Sequence, residues 1–187
     1  MKVYICCHST TGFPGDLIRE FTRVAVRGER VIAPAMPGTH AFILYEDGNG
    51  FWWRFDGKPP YAGWDPQNDA TKWPTACWRI EDAQAAKDVL HRARALDGTI
   101  YSFAEIGAQL GIALSTLPGL QWIKHLANRN VLPRASICTR VVVDSMAAAR
   151  FPRWDQALRE MPDLYPERLA QVLASLEGHG LVREVLL

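Results

Sequence analysis

Two strand-forming runs, Thr39-His40-Ala41-Phe42-Ile43-Leu44-Tyr45-Glu46 and Phe51-Trp52-Trp53-Arg54-Phe55, are separated only by Asp47-Gly48-Asn49-Gly50. β-Branched and aromatic side chains suit a pleated, half-buried surface. Asp-Gly and Asn-Gly pairs accept the positive φ angles that a tight reversal needs. So short a connection leaves the runs one arrangement, an antiparallel hairpin. A lone hairpin is marginal in water, so further strands and helices must cover it.

The rest of the chain supplies them. Residues 2–8 and 75–80 read as strands, and 181–187 as a last strand. Asp16, after the turn cluster 9–16, caps a helix over 17–26 whose apolar face holds Leu17, Ile18, Phe21, Val24 and Ala25. Glu81-Asp82 opens a helix to Ala95, stopped by Asp97-Gly98. Helical patterns also run over 101–114, 120–127, 136–149 and 166–176. The proline-containing stretches 30–38 and 57–74 read as loops. The second of these carries Tyr61, Trp64 and Trp73, which suit either a substrate lip or pins that hold a long loop to the body. Strands followed by runs of helices predict an α+β fold, one domain spanning 1–187.

Composition narrows the function classes. The net charge of +1 implies no general attraction to polyanions, so nucleic acid is not an expected partner. No apolar run reaches the length of a membrane span, and residues 1–5 lack the apolar core of a signal peptide. A cytoplasmic location is therefore expected. The four cysteines, Cys6, Cys7, Cys77 and Cys138, contain no Cys-x-x-Cys pair and match no zinc spacing. Cys6, Cys7 and His8 would alternate faces on a strand, so no metal or other cofactor is expected there. Nor does this number of cysteines suggest a disulfide framework.

One cysteine stands apart. The helix over 136–149 begins just after Pro133, with Ser136 as its expected N-cap and Cys138 in its first turn. Unpaired backbone N–H groups and the positive end of the helix dipole converge there, which favours the thiolate. Val142, Ser145 and Ala149 form a small stripe behind it, suited to close packing on a sheet. The competing reading is a buried, inert core cysteine. A thiol nucleophile also needs a base, usually histidine. His91 lies mid-helix among arginines, His125 late in a short helix, His179 between tail glycines and His8 at a strand end. His40 begins the hairpin, at the rim where a helix start packed on the sheet would meet it. Its alternative role is a hairpin-edge residue bonded to the loop.

Residues 39–43 resemble the His-small-x-apolar strand of the circularly permuted NlpC-type papain-like cysteine hydrolases, the branch that includes lecithin:retinol acyltransferase-like proteins. Ser136-Ile137-Cys138-Thr139-Arg140-Val141-Val142 resembles that family's Cys-Ser/Thr-Glu-apolar helix start. Trp78-Arg79-Ile80, the alanine-rich helix after it, and Asp97-Gly98-Thr99-Ile100-Tyr101-Ser102-Phe103 resemble the segments between. The order, His before Cys, is also the family's. The resemblance spans residues 15–149. It implies a single-domain permuted papain-like fold, a small antiparallel sheet with helices packed on it. It also implies a cysteine amidase or peptidase acting on a peptide or cell-wall peptide, with Cys138 as nucleophile and His40 as general base. The Cys138 backbone N–H would form part of an oxyanion hole. The rival readings are a non-catalytic module that grips its ligand with the Trp-rich loop, and a lipid acyltransferase.

Two positions depart from the family pattern. Arg140 stands where the family often has Glu. The strand after His40 carries no carboxylate in its body, so Asp56 becomes the candidate for the third residue, which orients the imidazole. Parity tests that assignment. If 47–50 form the turn symmetrically, residue 46 faces 51 and His40 faces Gly57, leaving Asp56 on the wrong side. A one-residue bulge would set Asp56 opposite His40. Otherwise a backbone carbonyl or a tyrosine hydroxyl must do the orienting.

Overall fold

The computed structural model describes residues 1–8, 40–57, 59–67, 75–101, 111, 115, 118–122, 135–136, 138–150 and 166–186. The expected turn at 9–16, Asp16-capped helix 17–26 and loop 30–38 lie outside these residues, as do Thr39, Trp73, residues 123–127 of the expected 120–127 helix, His125 among them, and all of the 101–114 helix but Tyr101 and Gly111.

The fold is α+β, with one six-stranded antiparallel sheet and three described helices. Its strands are β1 (Lys2–His8), β2 (His40–Glu46), β3 (Trp52–Gly57), β4 (Ala62–Gln67), β5 (Thr75–Ile80) and, after the short strands and helices given below, β8 (Val182–Val185). They lie in the order β4-β3-β2-β1-β5-β8. The hairpin thus occupies the sheet interior, where both neighbours satisfy its backbone. Helices α1 (Ala83–Ala95), α2 (Cys138–Ala147) and α3 (Pro166–Glu177) cover one face.

Strand alternation sorts the side chains. Val3, Ile5, Ala41, Ile43, Phe55, Trp78 and Ile80 point to the helices and pack against Val89, Val142, Met146, Leu169 and Leu173. Tyr4, Cys6, Phe42, Leu44 and Cys77 form a second buried cluster on the opposite face. Each fully buried Ile, Leu or Phe contributes about 1.5–3 kcal/mol. The helix-facing cluster, the larger of the two, therefore dominates the stability and fixes where α2 can lie.

Four sequence expectations need correction. Residues 62–67 are a strand, not loop. Gly63 and Pro66 disguised it, and both are tolerated because β4 is a sheet edge, where a missing N–H breaks no ladder. The hairpin turn holds five residues, since Glu46 pairs with Trp52. The Asp47 side chain accepts from the backbone N–H of Asn49 (2.8 Å) and of Phe51 (3.0 Å), drawing Phe51 into the turn. Ser136 is not a cap but lies in β7 (Ala135–Ser136), paired in parallel with β6 (Ile100–Tyr101). Finally, Cys6 and Cys77 are joined by a disulfide: they face each other directly across β1 and β5, with Cα atoms 4.3 Å apart.

The α1 start behaves as expected. Asp82 is its N-cap, and its carboxylate accepts from the Ala85 N–H at 2.7 Å. Asp82→Ala should lower stability by about 1 kcal/mol, read as a lower urea midpoint with an unchanged slope. At the other end, Gly98 takes φ +78°, and its N–H donates to Ala62 O, tying the helix exit to the start of β4.

Candidate active site

His40 opens β2 and pairs in register with His8, the last residue of β1. Asp56 on β3 pairs with Phe42. His40 and Phe42 are two residues apart on one strand, as are Arg54 and Asp56 on the next, so all four share a face. The five-residue turn sets this parity. It brings Asp56 to His40's side of the sheet without a bulge, diagonal to His40 rather than opposite it.

There Asp56, 3% exposed, bridges two cations-to-be. Its Oδ1 lies 3.1 Å from His40 Nε2, and its Oδ2 lies 2.8 Å from Arg54 Nη2. The Arg54 guanidinium sits over the Phe42 ring, 4.1 Å from its centroid. His8 meets both His40 and Phe42 edge-on, with centroid separations of 5.3 and 5.2 Å.

Cys138 is the first residue of α2. Two devices hold it. Behind it, Val141, Val142, Val143 and Met146 bury the helix body on the sheet and α1. Ahead of it, the β6–β7 pairing pins the backbone two residues before the sulfur. β6 is in turn anchored to the start of β4, because Tyr101 N–H donates to Pro60 O (2.9 Å) and Ala62 N–H to Thr99 O (2.8 Å). The helix start therefore reaches the rim at which β2 begins. Cys138 sulfur is hydrogen-bonded there to the His40 ring and receives the Ala41 N–H. It also contacts the Thr139 hydroxyl at 3.9 Å. With Nε2 turned to Asp56, Nδ1 is the ring nitrogen left for the sulfur.

The electrostatics follow from these contacts. Burial pushes the Cys138 thiol up, but the adjacent His40 charge, the His40 hydrogen bond, the Ala41 N–H and the Thr139 hydroxyl outweigh it and bring it below its ordinary value. Burial likewise disfavours His40 imidazolium, yet the Cys138 thiolate and the Asp56 carboxylate overrule it and raise its pKa to about 10. The two groups titrate as a pair, and the favoured state is thiolate–imidazolium. His8 is the opposite case: burial, helped by the charges of His40 and Arg54, lowers it to about 4, so it is neutral near pH 7. Cys7, also buried, is held well above the usual thiol range by burial and by the negative charge of Cys138. A buried location alone thus gives an inert thiol. The imidazole makes Cys138 different.

The fold brings together all three residues singled out in the sequence, Cys138, His40 and Asp56. His91 and His179 are exposed. Sequence reasoning missed Arg54 and set His8 aside as a strand end. The available signal for Arg54 was its i, i+2 spacing from Asp56, two charged residues sharing one face of an otherwise aromatic strand. Among the described residues, no group of three or more His, Cys, Asp or Glu is arranged to hold a metal ion, and no helix is long and apolar enough to cross a membrane. A buried thiolate beside an oriented imidazolium can attack an electrophilic carbonyl and return a proton to the leaving group. No family model, curated protein or solved structure matches the chain.

Proposed function

We propose that this chain is a thiol-dependent hydrolase of amide bonds, with a peptide or cell-wall peptide as substrate, and that it has the permuted papain-like design of the NlpC-type hydrolases. One observation carries the reading: the Cys138–His40–Asp56 chain of contacts, assembled from a helix start and two adjacent strands. The inert-core and hairpin-edge alternatives do not account for a ring hydrogen-bonded on one side to a thiol and on the other to a buried carboxylate.

The chemistry follows in order. Cys138 Sγ attacks the amide carbon, and the carbonyl electrons move onto oxygen, where the Cys138 N–H donates. The C–N bond breaks as the carbonyl re-forms, and His40 passes its proton to the departing amine. His40 then accepts a proton from water as that water attacks the thioester. The acid product leaves, and the thiolate–imidazolium pair is restored. Asp56 keeps the ring in line through both proton transfers.

The test is covalent capture. Wild-type protein is incubated with peptide and cell-wall peptide pools, quenched in acid, and the peptide containing residue 138 is weighed. An acyl mass on Cys138, with matching release of an amine, is the expected result. No adduct and no release, from a protein whose Cys138 still reacts with iodoacetamide, would overturn the hydrolase reading in favour of a binding module.

A further inference from the structure

In the hydrolase reading Asp56 orients His40, and Asp56 has a second partner. Its Oδ2 is 2.8 Å from Arg54 Nη2, and the side chains of the pair are 10% and 3% exposed. Arg54 is no solvated arginine. Its guanidinium carbon lies over the ring of Phe42, itself 1% exposed, at 4.1 Å from the ring centroid. Phe42 is also the register partner of Asp56. The ring, the guanidinium and the carboxylate are therefore stacked on one patch of two neighbouring strands, with His40 next along β2.

We propose that Arg54 is a positioning residue for the Cys138–His40 pair: seated on the Phe42 ring, its guanidinium holds Asp56 by Oδ2, so that Oδ1 stays turned to His40 Nε2. The proposal rests on the reading of Cys138 as nucleophile and extends it to a residue that contacts Asp56. A carboxylate turns about a broad, two-fold terminal torsion. A hydrogen bond to the second oxygen, from a planar guanidinium seated on an aromatic ring, opposes that turning where the imidazole's bond to the first oxygen alone opposes it less.

Charge balance gives the expected direction of effect. The described groups that face the pair are Cys138 and Thr139 from α2, His40 from β2, His8 and Cys7 from β1, and Arg54 and Asp56 from β3. His8 and Cys7 are neutral near pH 7. The other ionisable groups alternate in sign along the chain Arg54, Asp56, His40, Cys138. Removing the positive charge at Arg54 leaves the site with one net negative charge. Every acid in it then binds its proton more tightly, and the thiolate at Cys138 persists over a narrower pH range.

The experiment is the rate of Cys138 alkylation by iodoacetamide against pH, read by peptide mass in the intact folded protein. Wild type should react at pH values below the ordinary thiol range. Arg54→Met should move the reactive limb up by about one pH unit, about tenfold slower on its acid side. Arg54→Lys keeps the charge without the planar fork and should lie between the two. Near-UV circular dichroism checks that each variant is folded. If Arg54→Met does not fold, Arg54→Lys and Phe42→Leu, which removes the seat and keeps the arginine, carry the test, and each should shift the limb upward. A folded Arg54→Met or Arg54→Lys protein with the wild-type limb overturns the role of Arg54 and leaves the nucleophile reading standing. A wild-type protein whose Cys138 reacts only in the ordinary thiol range overturns that reading itself, and the proposal with it.

Discussion

Cys138→Ala is expected to abolish amide turnover and the acyl adduct while leaving the fold intact. Loss of the nucleophile from a triad-type site costs about 10⁶-fold in rate. Nothing among the described residues substitutes for it. Cys7, the other cysteine outside the disulfide, is buried on β1 and its pKa is raised. The cost to the fold is small for two reasons. The substitution removes one sulfur and leaves a small space, worth about 1 kcal/mol by the scaling of core truncations. It also places the best helix former at the start of α2, whose packing on the sheet is carried by Val141, Val142 and Met146. His40→Ala should likewise silence turnover, but the thiol remains and becomes ordinary, since both the charge and the hydrogen bond that lower it come from that ring. A Cys138→Ala protein that still turned over the wild-type substrate would show that the chemistry lies elsewhere.

Asp56→Ala should be the most destabilising single change at the site. The carboxylate is buried and is the shared partner of Arg54 and His40, and Arg54 is itself 8% exposed. Removing it leaves two buried donors, one permanently charged, facing an apolar methyl. Breaking a buried ion pair from one side costs about 3–5 kcal/mol, which is a large share of the 5–15 kcal/mol that holds an average domain together. The expected result is a markedly lower urea midpoint. Asp56→Asn should lose less, because the amide oxygen still accepts one of the two hydrogen bonds. It removes the negative charge that favours imidazolium, so the pH at which His40 loses its proton should fall even where the protein stays folded. Equal stability of wild type and Asp56→Ala would mean that the Arg54–Asp56–His40 contacts contribute nothing net.

Local signals carried much of the fold, and their failures have physical causes. The β2–β3 hairpin was legible because Asp47, Gly48 and Gly50 make a reversal that few other residues permit, and Gly50 indeed takes φ +81°. Its register was not, because the turn length is decided by the Asp47 side chain bonding two amides beyond itself, which counting alone does not foresee. That one residue determines whether Asp56 shares a face with His40. β4 was hidden because Gly63 and Pro66 look like loop until the strand is known to be an edge. The start of α2 was legible to within two residues. What holds it, the β6–β7 pairing, joins segments more than thirty residues apart and leaves no trace in either. The Cys6–Cys77 disulfide, with sequence separation 71, is of the same kind. Arg54 was invisible for another reason: in a strand, an arginine among aromatics reads as outward-facing, and only the register shows it seated on Phe42. Residue chemistry nominated Cys138, His40 and Asp56. Their meeting depended on sheet order and parity.

Whether Cys138 is a thiolate paired with the His40 imidazolium can be read from the ultraviolet absorbance of the thiolate. The quantity to follow is the difference between wild type and Cys138→Ala as pH is raised. The thiol of Cys138 is lowered and the His40 pKa is raised to about 10, so the pair should persist from below the ordinary thiol range up to about pH 10. The account predicts thiolate absorbance already present near neutral pH, below the ordinary thiol pKa of about 8.5. It also predicts that His40→Ala erases this signal near neutral pH. A difference spectrum with no thiolate until pH passes that ordinary value, or one unchanged by His40→Ala, would contradict it.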